Sequence, residues 1–234
     1  MSEGVVIITG TSRGIGRALA EYYLDKGRQV VGCSRSQASI EHERYDHFSF
    51  EVSDEKSVVS MVSSIAAKHK RIDVLINNAG IASMNAFLLT PLSSAMAIFE
   101  TNVMGAFLFC REVGKCMVRQ KCGRIVNLSS VASPLCLEGE AMYASSKAAV
   151  EKMTEILARE LGHSGVTVNA VGPTPVDTDL LHGVSEEKIE SLIAKQAIPR
   201  KGTFDDVIHA IDFFIHPNSS FVTGQVLYLG GING

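Results

Sequence analysis

The chain has 234 residues, 46% of them hydrophobic and 20% charged, with a net charge of −3. That length can bury one sizeable core and suits a single α/β domain over 1–234, while the slightly acidic balance gives no electrostatic case for nucleic acid. Cys33, Cys110, Cys116, Cys122 and Cys136 are odd in number and form no Cys-x2-Cys pair, so they read as reduced thiols of a cytoplasmic protein.

No uninterrupted apolar run reaches the length of a membrane span, and Met1-Ser-Glu-Gly lacks a charged leader followed by an apolar stretch. No metal is expected: His42 and His47 are five apart, so they would not share a helix face.

In chain order, apolar runs alternate with helical patterns. Strands are expected near 5–9, 29–33, 47–50, 73–77, 124–128, 166–170 and 226–229, and helices near 14–26, 55–69, 92–119, 141–162, 186–195 and 204–214. This alternation implies a Rossmann-type, doubly wound parallel sheet of about seven strands with helices on both faces.

Val5-Val6-Ile7-Ile8 reads as a buried parallel strand, and it leads into Thr9-Gly10-Thr11-Ser12-Arg13-Gly14-Ile15-Gly16 and then a helix. Glycine permits a tight turn and lets backbone N–H groups approach a pyrophosphate at the helix N-terminus. An ordinary glycine-rich turn is the plain alternative, which the strand before and the helix after make the weaker one.

Asn77-Asn78-Ala79-Gly80 follows Val74-Leu75-Ile76 at a strand's carboxyl end, where ligands of open α/β sheets collect. Asn102 falls inside a long amphipathic pattern, an unfavourable place for asparagine that suggests a buried polar contact or a kink. Further on, Tyr143 and Lys147 are four residues apart, which puts them on one helix face. A nearby ammonium favours the phenolate, so the spacing predicts a lowered tyrosine pKa and proton exchange near neutral pH. The interval 172–203 carries Pro173, Pro175, Gly183, Pro199 and Gly202 around a short helical piece, and reads as a mobile lid or a rigid surface excursion.

Taken together, Thr9-Gly10-x3-Gly14-x-Gly16, Asn77-Asn78-Ala79-Gly80, Asn102, Ser130, Tyr143 and Lys147 resemble the short-chain dehydrogenases/reductases, in order from residue 5 to about residue 230. The resemblance implies an oxidoreductase that moves hydride between a nicotinamide and a carbonyl or secondary alcohol. Ser130, rather than Ser129, matches the family by its thirteen-residue interval to Tyr143. In that reading Ser130 bonds the substrate oxygen, Tyr143 is the general acid in reduction, and Lys147 lowers the tyrosine pKa and holds the nicotinamide ribose. Asn102 would bind a water that connects to Lys147, whereas Asn127 has a structural part.

The resemblance also implies a cofactor lining of Gly10, Ser12, Arg13, Gly14, Ile15, Gly16, Ser34, Arg35, Glu51, Val52, Asn78, Ala79, Gly80, Tyr143, Lys147, Pro173, Val176 and Thr178. Ser34 stands where NAD-binding folds place a ribose-binding carboxylate, and Arg35 and Arg13 can clamp a 2′-phosphate instead, so NADP(H) is expected over NAD(H). Glu51-Val52 replaces the family's usual Asp-Val, and Pro173-Thr174 replaces its Pro-Gly, which leaves the path of 173–176 open.

The expected substrate surface is Ser130, Leu135, Leu137, Tyr143, Leu180 and Leu181, with Met84, Phe87, Leu192 and Ile193 nearby, although several of these can simply pack the lid. This apolar set favours an alkyl, acyl or ring ketone. In relatives acting on acyl carrier protein the places of Lys121 and Ser164 tend to be basic; only Lys121 is so here, which makes a carrier-bound substrate the less favoured alternative. A homodimer or homotetramer through 92–119 and 141–162 is implied. A non-catalytic NADP(H)-binding regulator and a lyase or epimerase on the same fold are the competing readings.

Overall fold

The structure, a computed structural model, describes residues 4–181 and 184–233; the Leu180 side chain, and His182 and Gly183 of the expected lid, lie outside the described residues. Among the described residues seven strands form one sheet: β1 Val5–Thr9, β2 Gln29–Ser34, β3 Tyr45–Ser49, β4 Val74–Asn77, β5 Gly123–Leu128, β6 Val166–Gly172 and β7 Val226–Tyr228. Their order is β3-β2-β1-β4-β5-β6-β7, with every pair parallel. The chain therefore winds outward from β1 in one direction, then returns and winds from β4 in the other. Strand order reverses between β1 and β4, and an open α/β sheet gathers ligands at that crevice.

Period-two alternation decides which side of the sheet each residue serves. Val5 and Ile7 join one core cluster, with Val58, Met61 and Val62 of helix α2 (Glu55–His69) and Phe109, Val113 and Met117 of α4 (Gly105–Gln120). Val6 and Ile8 join the opposite cluster, with Leu19 and Tyr23 of α1 (Gly14–Asp25) and Val207, Ile211 and Phe214 of α8 (Phe204–Ile215).

The helix expected over 92–119 is interrupted: α3 (Leu92–Phe99) runs into a π-helical turn, Glu100–Met104, before α4 begins. The extra residue of a π turn breaks the regular hydrogen-bond ladder, and such turns gather at functional positions. Asn102 sits in it, buried. Counted through, Leu92–Gln120 is long and apolar enough by length and composition to cross a membrane, which the sequence pattern did not anticipate. Here its inward residues, Phe109, Val113 and Met117, pack on the sheet.

Other differences are small. β3 begins two residues earlier than expected, and the short helix α5 (Ala132–Leu135), which follows β5, carries no helical period that a sequence pattern could reveal. Helices α6 (Ala141–Leu161) and α7 (Glu186–Ile193) fall where expected.

A polar tie joins α1 to α8. Tyr22 and Tyr23 both donate their hydroxyls to Asp212, at 2.5 and 2.9 Å, and Tyr23 is only 2% exposed. The carboxylate beside it, with burial, pushes the Tyr22 phenol up to about 12. Asp212→Ala leaves a buried hydroxyl without its acceptor and should lower the free energy of unfolding by about 2 kcal/mol. Urea denaturation measures this, and an unchanged midpoint would show that the tie contributes nothing.

Candidate active site

The carboxyl ends of β1 and β4 are tied directly. Thr9 Oγ1 accepts the backbone N–H of Asn78 at 3.0 Å and of Ala79 at 2.9 Å, while Asn78 Nδ2 donates to Thr9 O at 2.9 Å and Gly10 O at 3.2 Å. The glycine turn folds over this tie. Gly10 has φ +76°, and a Cβ there would lie 3.0 Å from the Ala79 Cα; a Cβ on Gly16 would meet Gly10 O at 2.2 Å. Neither position accepts a side chain.

A cleft of about 770 Å³ opens above the turn, bounded by Gly10, Ser12, Arg13, Gly14, Ile15, Ser34, Arg35, Glu51, Val52, Asn78, Ala79, Gly80 and Thr178. Its size and its floor of glycine backbone at the start of α1 fit a dinucleotide. Of the residues expected to hold the adenosine and pyrophosphate portion, Gly16 is buried behind the turn and does not reach this wall; the others lie on it. Arg35 is exposed at the cleft edge. Arg13 instead pairs with Asp179 at 2.8 Å across the cleft mouth, a partner the spacing of motifs does not suggest. Both side chains of that pair are well exposed, so exchanging the carboxylate for a phosphate costs little.

Ser130, Tyr143 and Lys147 converge at the end of β5. Lys147 is 4% exposed, donates to Leu128 O at 2.8 Å, and places its Nζ 5.7 Å from the centre of the Tyr143 ring. Ser130 stands beside the Tyr143 phenol, and its hydroxyl accepts the N–H of Ala132 at 3.1 Å. Burial pushes the phenol up to about 12, with Ser130 opposing and a small push from Glu140. Burial also brings Lys147 down to about 8, with the Glu151 carboxylate opposing. The lowered tyrosine pKa expected from the four-residue spacing is thus reversed, because desolvation, which penalises the charged form, is the largest cause at both groups.

Asn102 makes the buried polar contacts that its place in an amphipathic pattern suggested, and their partners are Ile81 and Ser146. Its Oδ1 accepts from Ile81 N at 2.8 Å, and its Nδ2 donates to Ile81 O and Ser146 Oγ, both at 3.0 Å. Ser146 in turn donates to Tyr143 O at 2.7 Å. The side chain therefore clamps the segment after β4 against α6. A small cavity of about 10 Å³, close to what one water needs, lies between Lys147, Asn102, Thr9 and Asn77, and Asn77 Oδ1 is buried without a partner. Asn127 is structural, accepting from Asn77 and donating to Thr154 at 2.8 Å each.

Residues 173–176 follow a definite path. Val131 N donates to Pro173 O at 3.2 Å and Gly202 N to Pro175 O at 2.9 Å, and Thr174 turns inward, with its methyl beside Gly230. Pro173, Val176 and Thr178 line a second cleft of about 120 Å³ with Tyr143, Lys147 and Leu181. Leu135 and Leu137 pack instead on a small cluster of Val131, Leu192 and Ile232. Glu151 was not foreseen as a site residue: it accepts from Ser129 and from Ser133, the latter at 2.7 Å, and lies near enough to the Tyr228 phenol to raise its pKa. Its position four residues after Lys147 was the available signal.

A family profile described as Enoyl-(Acyl carrier protein) reductase matches residues 10–232. The 3-oxoacyl-(acyl-carrier-protein) reductase FabG of Escherichia coli (strain K12) is 30% identical over 233 residues, covering 97% of this chain and 96% of its own length. Its Staphylococcus aureus (strain Mu50) counterpart is 31% identical over 235 residues, covering 96% of each. Among solved structures, ElxO with NADP bound superposes with a TM-score of 0.89 at 29% identity over 97% of both chains. The ligand-free aldohexose dehydrogenase of Thermoplasma acidophilum gives 0.88 at 31% identity, over 98% of this chain and 93% of its own.

The enclosure of Lys147 has a direct readout. In nuclear magnetic resonance of isotope-labelled lysine side chains, one amine should titrate near pH 8 and vanish in Lys147→Met. The unfolded chain holds this proton up to about 10.5, so the group's contribution to stability rises with pH between about 8 and 10.5. A midpoint above 10 would mean the amine is solvated.

Proposed function

The chain belongs to the short-chain dehydrogenase/reductase family, and on that premise we propose that it is an NADPH-dependent reductase of 3-oxoacyl thioesters and related apolar ketones. The observation that carries this reading is that Tyr143 and the buried Lys147 line one small cleft, with Ser130 beside the phenol, next to a dinucleotide-sized cleft. When bound, the reduced nicotinamide supplies the hydride for the carbonyl carbon.

The chain's own groups manage the oxygen. Ser130 donates to the carbonyl oxygen and steadies the charge that develops on it. Tyr143 then gives its phenolic proton to that oxygen. With a pKa pushed up to about 12 the phenol stays protonated at neutral pH, which suits a donor in the reducing direction. Lys147 borders both the phenol and the small cavity shared with Asn102 and Asn77, and so can pass a proton inward through a water.

Leu181, Pro173, Pro175 and Val176 give the reacting end an apolar wall, which supports an acyl chain over a sugar. The names of the bacterial relatives support a 3-oxoacyl group. Whether that group arrives on acyl carrier protein turns on the patch around Lys121, where Ser164 offers no second charge. The segment 172–203, tied to Val131 through Pro173 and closed on itself by the bond from Gly202 to Pro175, serves as the lid in this reading. Exposed Leu92, Met96, Met104 and Ile156 support a homodimer or homotetramer through α3, α4 and α6, and five free cysteines support a cytoplasmic setting.

NADPH oxidation should be followed with 3-oxoacyl and 2-enoyl thioesters on acyl carrier protein and on a small thiol, with apolar ketones, and with an aldohexose. The 3-oxoacyl thioesters should turn over, and Tyr143→Phe should lose on the order of a thousandfold in kcat while NADPH binding stays within about twofold. Unchanged turnover in Tyr143→Phe would sink the assigned acid. Tight NADPH binding with no turnover on any substrate would favour a regulator instead.

A further inference from the structure

Behind the wall of the large cleft, hydroxyl and imidazole groups form a continuous chain that no part of the reaction uses. Thr11 Oγ1 lies 2.8 Å from Tyr45 Oη, and Tyr45 Oη lies 2.9 Å from His47 Nδ1. His47 Nε2 then reaches Ser36 O at 3.0 Å and Ser34 Oγ at 3.2 Å. Tyr45 and His47 are two apart on β3 and so share one face, while Asp46 between them faces the other way, toward Lys68 and Gln29.

The carbonyl of Ser36 decides the direction of the whole chain. A carbonyl only accepts, so Nε2 of His47 carries a proton, and in the neutral ring Nδ1 is then an acceptor. Tyr45 therefore donates to His47, and Thr11 donates to Tyr45. Ser36 O is the convergence point: besides His47 it accepts from Ser34 Oγ at 2.9 Å and from Ser49 Oγ at 3.1 Å. Three donors on one carbonyl, which has two lone pairs, fix an otherwise exposed turn.

Space for the chain is built into β2. A Cβ on Gly32 would lie 2.2 Å from Tyr45 Oη and 2.4 Å from Thr11 Oγ1, so the two hydroxyls can meet as they do only over a residue without a Cβ. Gly32 is the register partner of His47 on one side and of Ile8 on the other. The glycine turn, β2 and β3 are thereby coupled to the turn Ser34-Arg35-Ser36 at the cleft edge.

We propose that His47 is a positioning residue for NADP(H) selectivity: by holding the carbonyl of Ser36 it sets the turn that presents Arg35 to the 2′-phosphate of the adenosine. The inference rests on the NADP(H) reading above. His47 and Tyr45 do not line the cleft; they act through the turn. NADH shares every group of NADPH except that phosphate, and its binding therefore reports on the rest of the site.

The test is the dissociation constants of NADPH and NADH, from cofactor fluorescence on the full chain, for wild type, His47→Phe, His47→Gln and Tyr45→Phe. His47→Phe should weaken NADPH on the order of tenfold, the scale of one hydrogen bond to a charged group, and shift NADH less than about twofold. His47→Gln restores an N–H donor and should recover most of the loss, and Tyr45→Phe should move selectivity the same way as His47→Phe. An unchanged NADPH-to-NADH ratio in His47→Phe, or an equal loss of both cofactors, overturns the inference; Tyr45→Phe decides it by the same criterion if His47→Phe does not fold. A wild type that binds NADH as tightly as NADPH overturns the cofactor reading itself, an outcome distinct from a selective wild type that the variants leave unaltered.

Discussion

The hydroxyl of Thr9 accepts two backbone N–H groups from the far side of the sheet's switch point, those of Asn78 and Ala79. Two parallel strands that end side by side would otherwise leave those donors unpaired where the chain diverges, and unpaired buried donors are costly. Closing the crevice floor with one threonine aligns the glycine turn with Ala79 and Gly80. The cleft above, and the position of everything that lines it, depend on that alignment.

The same principle, a side chain spent on backbone, recurs at Asn102. Its amide satisfies both the N–H and the C=O of Ile81, which belongs to no strand, and the π turn is what brings the amide there. Helical geometry alone would have carried residue 102 past this point; one extra residue in the turn re-aims it. A locally unfavourable residue in a locally unfavourable turn is retained because the long-range contact outweighs both.

Electrostatics at the site follow from enclosure more than from pairing. Tyr143 and Lys147 are each driven toward their neutral forms by burial, and the Glu151 carboxylate one helical turn on only moderates the lysine. Glu151 is held by Ser129 and Ser133, so it also braces the turn that carries Ser130. A neutral phenol next to an amine poised to lose its proton is an arrangement for proton transfer rather than for fixed charge.

The alternation of strands and helices, the glycine turn and the shared face of Tyr143 and Lys147 were legible in the sequence, because each is set by local period or turn chemistry within a few residues. Ser130 needed an interval borrowed from a family, since two serines after a strand look alike until one of them, Ser129, is seen bonded to Glu151. The Arg13–Asp179 pair, the Asn102 clamp on Ile81, the inward turn of Thr174 and the hydroxyl contact over Gly32 were decided only by tertiary structure. Each joins residues distant in the chain, and no periodicity encodes which distant atoms will meet. The direction in which Tyr143 titrates belongs with them, because desolvation depends on what encloses a group, and spacing along a helix says only what stands beside it.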